Sequence, residues 1–362
     1  MSRLTTLYRG ETKIDFIGSR KRWYAASAVL ILICVISLIV RGFNYGIEFK
    51  GGTTFNLTGV KNISISQVTD AFDKAGAEPE GAPQSVGSSN TIVVNTHTLQ
   101  PGPQRDVQNA VIKDLGISNK NISATSIGSD WGHDTTIKAL QGLIIFLVVV
   151  SIYIALRFQW RMAVGGMVAL LHDLIIAAGV YSVVGFEVTP STIVGLLTIL
   201  GFSLYDTVVV YDKVGENAKD ILAGSRTTYS EAANKAVNQT LMRSINTSVI
   251  ALLPVAGLLF VGAGILGVGT IEDLALILFV GLLSGAYSSL FLATPVVVDL
   301  TEREPQYKAL TKRVMAKRSS EARKAEEAGL AGVGAGTATS ARTGGPAPAP
   351  RVGARPARRK RT

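Results

Sequence analysis

Charge is scarce in this sequence. Only 17% of its 362 residues are Asp, Glu, Lys or Arg, against 47% hydrophobic, too little charge to cover a soluble protein of this size. Cysteine is almost absent: Cys34 stands alone within an apolar run, which excludes an intrachain disulfide. The three histidines, His97, His133 and His172, form no ligand cluster with it, so the sequence offers no metal site and few catalytic bases. No G-x-x-x-x-G-K-[ST] pattern occurs, which excludes ATP as an energy source within the chain. These absences point away from an enzyme and from a cofactor.

Long apolar runs are plentiful. They cover about 24–40, 138–156, 163–184, 191–212, 247–268 and 273–298, each long enough to cross a hydrocarbon layer roughly 30 Å thick. The net charge of +10 resides in one segment: residues 302–362 carry 15 Lys/Arg and 5 Asp/Glu, and the remainder balances at 21 of each. A nucleic-acid-binding domain is therefore not implied. The basic tail could instead attract anionic lipid or a ribosome, or remain a solvated extension. Its Ala/Gly/Pro/Arg-rich portion from about 325 is expected to be disordered.

Arg20, Lys21 and Arg22 precede the first run, and no A-x-A cleavage site follows it, so the run reads as an uncleaved helix. Basic residues recur at Arg157 and Arg161, throughout the 213–246 loop, and after the sixth run, whereas loops 185–190 and 269–272 hold none. The positive-inside rule then makes both termini cytoplasmic and puts residues 41–137 outside. The expected plan is a cytoplasmic segment 1–23, a first span 24–40, an outer domain 41–137, five further spans within 138–300 and a cytoplasmic tail 301–362.

Patterning in the outer segment predicts strands at 54–57, 84–86, 91–95 and 122–127 and helices at 66–76 and 104–115. Val68, Phe72 and Ala75 share one helical face, as do Val107, Val111 and Leu115. The β-α-β-β-α-β order resembles a ferredoxin-like arrangement. The expected fold class is thus an α-helical polytopic membrane bundle of six transmembrane helices with an extracytoplasmic α+β ferredoxin-like domain. In the 213–246 loop, Thr228 and Glu231 form a capping box that opens a short helix striped by Ala233, Val237 and Leu241. That stripe suggests a helix lying along the membrane face.

Ionisable residues inside spans are costly, about 2.5–3.5 kcal/mol on insertion scales, and face a bundle interior or water. Asp173 falls mid-span beside His172, and Asp206 about two turns, or roughly 10 Å, from Lys213. Arg243 starts from the same side and could extend to Asp206, while Ser203 and Thr207 could satisfy the Asp206 oxygens. This set can be a proton or ion relay, or a polar clamp that fixes helix packing; residue type leaves both open. His172 could shuttle protons or simply hydrogen-bond a neighbouring helix. The Gly51–Gly52 pair answers a backbone need, a tight turn or a close approach, and Gly281 and Gly285 form a small-xxx-small contact.

Four segments together carry a family resemblance: NYGIEFKGGT at 44–53, ALLHD at 169–173, GLLTILGFSLYDTVVVYDK at 195–213 and NQTLMRSINTS at 238–248. With them the sequence resembles the SecF members of the SecD/SecF protein-export family, of the resistance-nodulation-division type, over about residues 15–300. It departs at Tyr205, where members commonly have Asn, at Lys213-Val214-Gly215, and in its basic tail. The resemblance implies a multi-pass protein of the bacterial cytoplasmic membrane. It would act with SecD on polypeptides emerging from the SecYEG translocon, using the proton gradient. It also implies that Asp206 and Arg243 are charged positions of the proton path. A proton-coupled efflux half-transporter for small molecules or lipid, and a non-transporting membrane scaffold, are the alternatives.

Overall fold

A computed structural model describes residues 14–60, 63–81, 83–86, 91–265 and 269–336. The chain begins with α1 (Arg20–Val40), β1 (Asn44–Tyr45), α2 (Ile47–Lys50), β2 (Gly52–Leu57) and α3 (Ile65–Lys74). It continues through β3 (Gln84–Val86), β4 (Thr91–Thr96), α4 (Pro101–Leu115), β5 (Ile122–Ile127), α5 (Ser129–Arg157) and α6 (Trp160–Val184). Then come β6 (Glu187–Val188), α7 (Pro190–Asn217), α8 (Tyr229–Gly257), α9 (Gly269–Ser288), α10 (Thr294–Glu302) and α11 (Pro305–Gly336).

Six helical segments among the described residues are long and apolar enough to cross a membrane: α1, α5, α6, α7, α8 and the α9–α10 run. They are not equivalent. About half of the most apolar stretch is buried in α6 (44%), α7 (44%) and α9–α10 (50%), against 17% in α1 and 11% in α5. The first three therefore form the centre of the bundle. Glycine lets α7 and α9 approach: a Cβ on Gly281 would collide with Ile199, and one on Gly285 would lie 2.9 Å from the Ser203 Cβ. Ile199 and Ser203 are one turn apart on α7, as are Gly281 and Gly285 on α9, so one ridge sits in one groove.

Residues 52–127 form a four-stranded sheet in the order β3-β4-β2-β5, antiparallel throughout. Helix α3 starts at a reciprocal cap between Ser64 and Gln67 and turns Val68, Ala71 and Phe72 inward. Helix α4 contributes Val107 and Val111, and both helices close over Phe55, Leu57, Ile92 and Val94. Strand alternation places each of these side chains on the covered face.

The Gly51–Gly52 pair joins this domain to the bundle. Both residues take positive φ, 76° and 145°, and a Cβ on Gly51 would lie 2.7 Å from the Ser129 Cα where α5 begins. Only glycine fits there. Beside it, β1 and β6 pair in parallel, Asn44 opposite Glu187 and Tyr45 opposite Val188, which links this corner to the turn between α6 and α7.

Two expectations change. The capping box at Thr228 and Glu231 is present, but the helix it opens does not stop short of the fifth span; α8 runs unbroken from Tyr229 to Gly257. No glycine or proline interrupts residues 229–246, so nothing ends the helix there. Ala233, Val237 and Leu241 are buried inside the protein rather than laid on a membrane surface. Asn234 and Asn238 hold the backbone of the 14–17 segment along this extension. Near 325, where the disordered tail is expected to begin, α11 continues to Gly336. Its Ala, Lys, Arg and Glu content favours helix. Residues 337–362, the rest of the expected disordered tail, lie outside the described residues, as do residues 1–13 of the expected cytoplasmic segment. The described residues divide at Thr311 into two compact units.

Candidate functional site

Asp173 is buried near the middle of α6, 1% exposed. Both of its oxygens are fully engaged. Oδ1 accepts from Ser284 Oγ at 2.6 Å and faces His172 Nδ1 at 3.1 Å. Oδ2 accepts from Ser203 Oγ at 2.6 Å and Ser288 Oγ at 2.7 Å. Helices α6, α7 and α9 thus meet on a single carboxylate. Each such bond between membrane helices contributes about 0.6–2 kcal/mol, a modest amount because separated helices in the membrane also find polar partners.

Asp206, on α7, is held more sparingly. Its Oδ1 accepts from Ser244 Oγ and its Oδ2 from Ser289 Oγ, both at 2.7 Å, which ties α7 to α8 and to the end of α9. The two serines that serve different carboxylates, Ser288 and Ser289, are consecutive. A step of one residue turns a helical side chain by about 100°, so one hydroxyl faces α6 and the next faces α7 and α8. The helix widens into a π-turn over Ser289–Ala293 at this point. Pro295 lies just beyond, and its missing N–H removes the bond that would otherwise close on the Phe291 carbonyl.

Of the sequence-derived candidates, Asp173, His172 and Ser203 come together. Thr207 and Ser203 do not serve Asp206: Thr207 Oγ1 donates to the Ser203 carbonyl, and Ser203 Oγ donates to Asp173. Both point along the α6–α7 seam rather than toward α8. Arg243 does not pair with Asp206 either. It is exposed, one residue before the inward-facing Ser244, and its Nη2 reaches the Tyr205 hydroxyl at 3.4 Å. Tyr205 is itself 51% exposed. The pair therefore marks an outer face where α7 meets α8. Four hydroxyls escaped the sequence reading, those of Ser244, Ser284, Ser288 and Ser289. The signal was available in the turn-spaced Ser284 and Ser288 beside the glycine pair.

His172 stands beside Tyr287, ring centroids 5.8 Å apart, and its Nε2 is buried without a hydrogen-bond partner among the described residues. The Tyr287 hydroxyl lies 3.1 Å from Ser27 Oγ and from the Trp23 carbonyl, so the polar seam extends to α1. Among the described residues no three His, Cys, Asp or Glu side chains gather as metal ligands. Outside the spans, Glu187 accepts from Asn95 Nδ2 at 3.1 Å. Burial pushes its carboxyl up from the ordinary range, and the neighbouring Glu48 adds to that.

The profile of the family described as "Protein export membrane protein SecD/SecF, C-terminal" matches residues 107–303, and that of the "SecD/SecF GG Motif" matches 36–59. The protein translocase subunit SecF of Streptomyces coelicolor is 48% identical over 333 residues, 91% of this chain and 88% of that protein. SecF of Mycobacterium leprae is 43% identical, over 87% of this chain and 70% of its own. The crystal structure of SecDF from Thermus thermophilus, described as a translocon-associated membrane protein, superposes with a TM-score of 0.73 at 29% identity. That likeness covers 81% of this chain but only 39% of the SecDF chain. This multi-pass membrane chain belongs to the SecF family of protein translocase subunits, within the SecD/SecF protein export membrane proteins.

Proposed function

We propose that this chain is one half of a Sec export accessory complex. It pairs with a SecD-type subunit and uses the proton gradient to promote passage of exported polypeptides through the SecYEG translocon. The observation that carries the reading is the pair of enclosed carboxylates, Asp173 and Asp206, joined to four helices through serine hydroxyls. A carboxylate enclosed in a bundle gains or loses a proton at a cost set by its donors, so helix movement and protonation become linked. Arg243 and Tyr205, exposed on the α7–α8 face, are the groups a SecD-type partner would meet. The existence of SecDF chains more than twice as long as the matched region supports such a partner.

Both termini are cytoplasmic in this reading, and residues 41–137 lie outside as a ferredoxin-like domain. The antiparallel β3-β4-β2-β5 order, with both crossover helices covering the same core, supports that assignment. The basic tail is left to contact anionic lipid or a ribosome. The test is gradient-dependent export of a secreted precursor into inverted membrane vesicles, with complex assembly measured in parallel. Asp206→Asn and Arg243→Ala should assemble and lose most of the gradient-dependent part. Assembled variants that export like the parent would overturn the coupling and favour the clamp.

A further inference from the structure

Ser288 has two acceptors within reach and Ser289 three, the third being the Ala286 carbonyl at 3.5 Å. Ser288 Oγ lies 2.7 Å from Asp173 Oδ2 and 3.3 Å from the Gly285 carbonyl. Ser289 Oγ lies 2.7 Å from Asp206 Oδ2 and 2.9 Å from the same carbonyl. A hydroxyl carries a single proton, so it serves one of these acceptors at a time as a full donor. An ionised carboxylate takes that proton. A protonated carboxyl presents a proton of its own and needs an acceptor, which the hydroxyl oxygen becomes once its own O–H has turned to the Gly285 carbonyl.

We propose that Ser288 and Ser289 are a paired hydroxyl switch, each turning between its carboxylate and the Gly285 carbonyl as that carboxyl loses or gains a proton. Protonation of Asp206 forms one carboxyl O–H. The Ser289 O–H bond stays intact and rotates, and the Asp206 carboxyl and the Ser289 hydroxyl each keep a hydrogen-bond partner in both states. Ser288 does the same for Asp173. One lone pair of that carbonyl takes the intrahelical N–H bond, so the two hydroxyls share the other, with the Ala286 carbonyl, 3.5 Å from Ser289 Oγ, as a further acceptor. The shared carbonyl and the adjacent backbone positions connect the two carboxylates within this chain. A buried group left without a partner in one state would disfavour that state. The switch removes that obstacle.

The groups facing these carboxylates are few. Around Asp173 they are His172, Ser203, Ser284 and Ser288; around Asp206 they are Ser244 and Ser289, with Arg243 turned outward onto Tyr205. Ser288 and Ser289 are positioning residues. They differ from the other serines in having the second acceptor on their own helix, at the mouth of the π-turn.

This inference rests on the proton-coupled reading above. Its test uses the full-length chain, assembled in membranes, as Ser289→Ala, Ser289→Thr and Asp206→Asn. Two readouts are taken: gradient-dependent export, and the carboxylic C=O band in pH-difference infrared spectra. Ser289→Ala should lower gradient-dependent export about tenfold, the loss of a hydrogen bond to a charged group. Ser289→Thr, which keeps the hydroxyl, should restore it. The band that vanishes in Asp206→Asn should move to higher frequency in Ser289→Ala and return in Ser289→Thr, a change that loss of packing alone does not produce. If Ser289→Ala exports normally with an unshifted band while Asp206→Asn fails, the switch is overturned and the coupled reading stands. If Asp206→Asn also exports normally, the coupled reading falls and the switch with it.

Discussion

In the α+β fold the enclosed side chains include Phe55, Leu57, Val68, Phe72, Val94 and Val111, and among the described residues of 52–127 the only buried polar side chains are Thr53 and Thr96. In the bundle the enclosed positions include Asp173, Asp206, His172, Ser203, Ser244, Ser284, Ser288 and Ser289, while Leu30, Leu140, Leu156 and Ile250 face outward. Water drives apolar groups inward and supplies the first region with its stability. Lipid is as apolar as leucine and gives no such drive, so close approach and polar bonds hold the second. One chain thus uses two opposite sorting rules, one on each side of the Gly51–Gly52 joint.

The strongest way to break the comparison is to enlarge a small residue in the bundle. Gly281→Leu forces a side chain into Ile199, and α7 and α9 should separate, with loss of the folded, detergent-stable protein in size-exclusion chromatography. A variant that remains monodisperse and thermally unchanged would show that close approach is not what holds the bundle. Phe72→Ala should act next most strongly, costing the α+β fold about 3–5 kcal/mol. Hydrogen exchange should then rise across 52–127 and stay low in α6, α7 and α9. Equal loss of protection in both regions would mean that they fold as one unit.

The smallest effect lies at the joint. The raised Glu187 carboxyl binds its proton more tightly in the folded chain than in the unfolded one. Stability therefore falls as pH rises from the ordinary carboxylate range through the raised value. Glu187→Gln keeps an oxygen for Asn95 and removes the charge. It should raise the melting temperature at pH 8 and leave it nearly unchanged at pH 4. A lower melting temperature at pH 8 would contradict the sign.

The same contrast explains what the sequence made legible. Strand alternation, the apolar faces of Val68–Phe72 and Val107–Val111, and Gly51–Gly52 announced the elements of the α+β fold, because there burial follows hydropathy. The spans were legible as lengths but not as faces. Lipid and most of the bundle core are both apolar, so periodicity cannot tell one from the other. Asp173 and Asp206 stood out by their charge. Their donors did not, because Ser284, Ser288 and Ser289 lie more than 80 residues from the carboxylates they serve. Reach and side of the membrane make an Arg243–Asp206 pair feasible from the sequence. The register of α8 turns Arg243 outward and brings its neighbour Ser244 inward instead. The continuity of α8 is not legible in the sequence, because a capping box marks where a helix begins and not where it ends.

The central claim is that the enclosed carboxylates, held by hydroxyls, take up protons from the gradient. Proton uptake is measured most directly with a pH-sensitive dye inside liposomes containing the full-length chain and its SecD-type partner, under an imposed gradient. Asp206→Asn should abolish the uptake seen with the parent complex, while Phe72→Ala, remote from the carboxylates, should retain it in whatever fraction stays assembled. Parental uptake in an assembled Asp206→Asn complex would contradict the account.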